Sequence, residues 1–194
     1  MANYRAIETI SDVLVRLLRS SYDVSDFDGD PLTFDVYLRD DFDSPMSRGA
    51  SLFLYRVVVN GTHRLPPGRI RSDGNQARPP LPIDLHYLVT IWAGDASMQH
   101  RIAGWIMRLF EDLSVLPYGA LGALYPDVFQ PDESAEIIID DLSNEDLLRI
   151  WETLNTNGYA LSIPYLVRSV QVESDDTITG DERIQERVFP IEIL

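Results

Sequence analysis

Ile7, Ile10, Leu14, Leu17 and Leu18 recur three and four positions apart near the start of the chain. That spacing gathers them on one face of a helix and predicts an amphipathic helix over residues 3–20. The helix runs out in "SSYDVSDFDGDP", whose acids and turn formers predict a loop. In "LTFDVYLRD", Leu32, Phe34, Val36 and Leu38 alternate with polar neighbours, the period of a half-buried strand. "SLFLYRVVVNGTHRL" predicts a second strand, and its Asn60-Gly61 is a strong two-residue hairpin signal. "PPGRIRSDGNQARPPLP" follows, so the stretch from Arg64 to Pro80 reads as a long exposed loop.

Residues 78–92, "RPPLPIDLHYLVTIW", change the pattern. Ile83, Leu85, Tyr87, Val89 and Ile91 form one face, while Asp84, His86, Leu88, Thr90 and Trp92 form the other. Both faces are largely apolar, which predicts a central strand covered on each side. "GDASMQHRIAGWIMRLFEDL" predicts a helix buried along Ile102, Ile106, Leu109, Phe110 and Leu113, with Trp105 and Met107 off that stripe. Trp105 is therefore a candidate to face a neighbouring molecule.

"AEIIIDD" predicts a short strand. "DLSNEDLLRIWETLN" predicts a helix capped by Ser143, with Asp146 as an acidic version of the capping box and Leu142 and Leu147 as a staple. "ALSIPYLVRSVQVE" predicts a strand that Pro164 pushes, in whole or at that end, toward a sheet edge. No repeat or second core follows. The elements predict one α+β domain over residues 1–173, with a mixed or antiparallel sheet and flanking helices.

Residues 174–194 read as a C-terminal arm. It is acidic at first and apolar at the end, where Phe189, Ile191 and Ile193 are candidate contacts. The alternation of Ile191, Glu192 and Ile193 suits a strand added to a sheet edge of its own domain or of a neighbouring subunit.

Composition narrows the chemistry. A chain of 194 residues buries roughly 70% of its unfolded surface and needs no metal or disulfide to fold. Having no cysteine, it forms no disulfide, performs no thiol catalysis and builds no thiolate zinc site. Glu8, Asp12, Arg16 and Arg19 interrupt any signal-peptide core, and no apolar run is long enough for a bilayer span. The expectation is a soluble protein made and folded in the cytoplasm.

The net charge is −15, and every one of the sixteen basic residues is arginine. Residues 48–126 hold eight arginines against five acids, between flanks of net −6 and −12. A field negative over most of the chain argues against nucleic acid as a partner. The positive middle makes Arg64, Arg69, Arg71 and Arg78 candidates for contact with carboxylates on another subunit.

Candidate catalytic constellations are weak. Asp26, Asp28 and Asp30 alternate like calcium ligands, but Pro31 stands where the loop needs glycine and Tyr37 where it needs a bidentate glutamate. A metal site drawn from Asp84, His86 and His100, with His63 as a distant fourth, lacks both HExxH and HxH spacing. No GxSxG elbow occurs, and "GALGAL" has neither the spacing nor the setting of a dinucleotide loop. The reading is a chain with no catalytic, cofactor or metal residues.

"SLFLYRVVVN", the arginine- and proline-rich loop, "PPLPIDLHYLVTIW", "HRIAGWIMRLFEDLSVLP" and "LSNEDLLRIWETLNTNGYALSIPYLVRSVQVE" occur in that order. Over residues 3–173 this resembles the tail-terminator, or cap, proteins of phage-tail-like contractile injection systems, such as the Photorhabdus virulence cassettes and the antifeeding prophage. The resemblance implies a six-fold ring of copies that closes the distal end of an inner tube and its sheath. The partners are then the chain itself, the tube protein and the sheath protein, within a particle either retained or released. It also implies that Asp84 and His86 are structural. Two other readings stay open: a small metal-dependent hydrolase using Asp84, His86 and His100, and an acidic adaptor or chaperone acting outside a ring.

Overall fold

The computed structural model describes residues 2–63, 76–122, 125–131, 133–154, 158–174 and 177–178. Arg64, Arg69 and Arg71 of the loop, and Phe189, Ile191 and Ile193 of the arm, lie outside the described residues.

The chain opens with α1 (Ala6–Ser21), β1 (Thr33–Val36) and β2 (Gly49–Val59). Then come β3 (Gln76–Ala77), β4 (Leu81–Trp92), α2 (Ala96–Asp112), β5 (Val115–Leu116) and α3 (Tyr118–Gly122). It closes with β6 (Ala135–Ile139), α4 (Asn144–Leu154), β7 (Ser162–Val172) and β8 (Thr177–Ile178). Six strands form a sheet in the order β1-β2-β4-β7-β6-β5, and β3 pairs with β8 in a separate ribbon. Only β1 and β2 run parallel, so the sheet of this α+β domain is mixed.

The doubly apolar strand takes the central position. Ile83, Leu85, Tyr87, Val89 and Ile91 of β4 share a core with Ile10, Leu14 and Leu18 of α1 and Ile102, Ile106 and Phe110 of α2. On the other face, Leu88 and Trp92 join Trp151 and Leu154 of α4 and Phe42 of the short 3-10 turn Arg39–Asp43. Hydroxyls satisfy several of the polar atoms trapped in both layers. Ser11 and Tyr87 hydroxyls meet at 2.7 Å between α1 and the sheet. Trp92 Nε1 donates to Ser51 Oγ at 2.8 Å, and Trp151 Nε1 to Ser162 Oγ at 3.1 Å.

The helices α2 and α4 start where side chains supply acceptors. Asp95 caps α2 by accepting from the Met98 N–H, and Ser143 caps α4 by accepting from the Asp146 N–H. In α2 the buried stripe is Met98, Ile102, Ala103, Ile106 and Phe110, with Leu109 only half-buried.

Two expectations are corrected and a third is narrowed. The hairpin signal at Asn60-Gly61 makes no two-residue turn: a 3-10 turn forms at Gly61–His63, and β4 begins only at Leu81. Asn60 Oδ1 instead accepts from the Thr62 N–H. Secondly, β1 is shorter than the apolar alternation, because the chain leaves the sheet for the Arg39–Asp43 turn, where Asp41 accepts from the Leu38 N–H. Thirdly, the pull of Pro164 toward an edge holds at that end of the strand only, since β7 as a whole lies between β4 and β6. Its Pro164 is tolerated because the β6 ladder ends at Ile139–Tyr165, one residue short of it. The Pro164 carbonyl on that side accepts from the Asp140 N–H, and no ladder donor is needed there.

Candidate assembly surfaces

Asp84 and His86 share a face of β4 but serve different partners. The carboxylate of Asp84 accepts from the Ser169 N–H at 3.0 Å and from Asn60 Nδ2 at 2.9 Å. Ser169 has φ +64 and sits at the register shift between β4 and β7, so Asp84 ties that bulge to the end of β2. His86 Nδ1 lies 2.6 Å from Asp140 Oδ2, which also accepts from the Tyr55 hydroxyl at 2.8 Å. Burial and the neighbouring Asp140 carboxylate raise the Tyr55 pKa, so the phenol stays a donor. The two side chains thus lock strands together.

His100 lies on α2, which packs on the opposite face of the sheet, and it is exposed. His63 stands in the 3-10 turn after β2, and its side chain is outside the described residues. Among the described residues, no group of three histidines or carboxylates converges to hold a metal. The acidic loop before β1 is used otherwise: Asp28 pairs with Arg101 at 2.7 Å and Asp30 with Arg48 at 2.5 Å.

The sheet's β1 edge is guarded. Arg19 donates from Nε and Nη2 to the Phe34 carbonyl at 3.1 and 2.5 Å, and Asp35 Oδ1 accepts from the Val36 N–H. Side chains thereby occupy groups that an added strand would need. At the other edge β5 is only two residues long, with Val115 and Ile139 about half exposed.

Trp105, expected off the buried stripe, is half-buried within its own chain, its ring 5.6 Å from Phe27 and 5.7 Å from Phe34. Arg78 is exposed just ahead of β4. The β3–β8 ribbon joins the end of the arginine loop to the start of the arm, pairing Gln76 with Ile178 and Ala77 with Thr177.

A surface the sequence pattern did not single out lies on α4. Leu148, Trp151, Glu152, Gly158 and Tyr159 line an open pocket of about 230 Å³. Leu148 and Tyr159 are 52% and 51% exposed, and Tyr159 stacks edge-on to Trp151 at 5.6 Å. The signal in the sequence is Leu148 itself, an apolar residue beside the Leu147, Trp151 and Leu154 stripe. Residues 144–154, the helix itself, hold three acids against one arginine, Arg149, which pairs with Glu145.

A fold of this kind has counterparts among solved structures. The sheath/tube terminator of the PVC extracellular contractile injection system, in its extended state, superposes with a TM-score of 0.65 at 16% identity. That match covers 97% of this chain and 64% of the other. The tube-terminating cap of the anti-feeding prophage gives 0.55 at 17% identity, over 95% of this chain and 60% of that one. This chain thus spans less than two thirds of the length of either protein. No curated protein sequence matches it. The family model described as the Pvc16 N-terminal domain matches residues 9–186, and the chain belongs to that family.

Proposed function

We propose that this chain is a structural terminator: copies form a ring that closes the distal end of the inner tube and sheath of a contractile injection system. The observation that carries the reading is the likeness of nearly the whole chain to two tube terminators, with a family match over the same residues. The fate of the polar groups supports it. Asp84 and His86, the most site-like pair in the sequence, are consumed, together with Asp140, in holding β2, β4, β7 and the β6–α4 connection together.

The ring is six-fold by the resemblance, and it meets tube protein on one side and sheath protein around it. No described helix is long and apolar enough to cross a membrane, which suits assembly in the cytoplasm. The arm from residue 174 contacts a ring neighbour or the sheath. Mass measurement and electron microscopy of the purified protein, alone and with tube protein, test the reading. Closed rings that bind one tube end support it, and a monomer that ignores tube protein overturns it.

A further inference from the structure

The open pocket on α4 has an apolar lining with one carboxylate, Glu152, at its rim, which suits an occupant both apolar and basic. The chain carries one such segment. Residues 64–78, "RLPPGRIRSDGNQAR", set Leu65, Pro66, Pro67 and Ile70 among four arginines and a single acid, Asp73. Guanidinium groups suit the carboxylate of Glu152 at the pocket rim, and the apolar side chains suit Leu148, Trp151 and Tyr159.

The two features sit at opposite ends of the domain. The loop joins Asn60 to Leu81, at the start of β4, whereas the pocket stands over the strand's other end. There Trp151 bonds to Ser162, and Ser162 pairs with Thr90. From Leu81 to Thr90 an extended strand covers about 30 Å. A loop at one end and its complementary pocket at the other make a heterologous, head-to-tail contact, which closes into a ring when the rotation between copies allows.

We infer that the α4 pocket receives the arginine-rich loop of the neighbouring copy. The inference rests on the ring reading above and names the contact that builds the ring.

Two disabled variants of the full chain test it. Leu148→Asp puts a charge on an exposed pocket residue and leaves the loop intact. Arg69→Glu with Arg71→Glu reverses the loop charge and leaves the pocket intact. Each should self-associate about tenfold or more weaker than the parent in sedimentation velocity. Mixed together they should form a one-to-one dimer that grows no further, because one good loop and one good pocket remain. Should Leu148→Asp lose its native circular dichroism, Glu152→Arg, at an exposed position, replaces it in the same mixture. Variants that still form parent-like rings would overturn the docking while leaving the ring reading intact. Variants that form rings yet lose tube-protein binding would assign the pocket to the tube and overturn it too. A parent chain that is monomeric under all conditions would remove both readings.

Discussion

His86 Nδ1 lies 2.6 Å from Asp140 Oδ2, and the same oxygen accepts from Tyr55, so one carboxylate joins β2, β4 and the link from β6 to α4. The side chains of His86 and Asp140 are 15% and 12% exposed. Removing the acceptor by Asp140→Ala leaves two polar groups with little water to turn to. The expected loss of stability is about 1–3 kcal/mol. Asp140→Asn, which keeps an oxygen, should lose less. Urea unfolding midpoints measure this, and an unchanged midpoint for Asp140→Ala would show that the cluster is idle.

Asp84 and Ser169 give a second, separable expectation. Asp84→Ala strips the acceptor from the bulge N–H and from Asn60, with an expected cost of about 1–3 kcal/mol. At Ser169, φ +64 is a conformation glycine adopts without strain, so Ser169→Gly should be neutral or slightly stabilising and Ser169→Val clearly destabilising. Thermal melts of the three variants decide it. Equal tolerance of glycine and valine would contradict the bulge geometry.

Gly49 has φ +135 and begins β2 against β1, where an added Cβ would sit 1.8 Å from the Thr33 carbonyl oxygen. No side chain fits there without parting the parallel pair. Gly49→Ala should therefore destabilise by several kcal/mol, roughly 3 or more. It should also raise hydrogen exchange at the Thr33 and Tyr37 amides, which donate into β2 territory. Native exchange rates at those amides in the variant would refute the clash.

Alkaline titration follows from the phenols. Burial raises the pKa of Tyr55 and Tyr87, and pushes that of Tyr165 up to about 12. A phenol with a raised pKa contributes stability fully below its unfolded value of about 10, and that contribution fades as pH climbs through the folded value. Ultraviolet titration should show these three ionising late and together with alkaline unfolding. All nine tyrosines ionising near pH 10 in a folded chain would contradict their burial. Tyr165, whose hydroxyl is buried without a hydrogen-bond partner, should accept Tyr165→Phe at no cost.

Much of the architecture was legible from periodicity. Apolar residues on both faces of β4 announced a strand covered on each side, and Ser143 with Asp146 announced the start of α4. What misled were local signals outweighed by distant partners. Asn60-Gly61 is a turn signal only when the next strand follows at once, and here β4 starts twenty positions later. Pro164 signals an edge for its own end of the strand alone, because the β6 ladder stops at Tyr165 while β7 as a whole stays interior. The roles of Asp84 and His86 were beyond local reading for the same reason. Their partners Ser169 and Asp140 stand 85 and 54 residues away, and only the folded sheet brings them together. The α4 pocket is likewise a product of packing, joining Leu148 to Tyr159.

The most direct test of the central claim is the length of tubes grown in its presence. Purified tube protein is polymerised with and without this chain, and electron micrographs record tube lengths and ends. A terminator should shorten the tubes in a dose-dependent way and appear as a ring on one end of each. Tubes of unchanged length with bare ends, at concentrations where the chain itself is folded, would contradict the account.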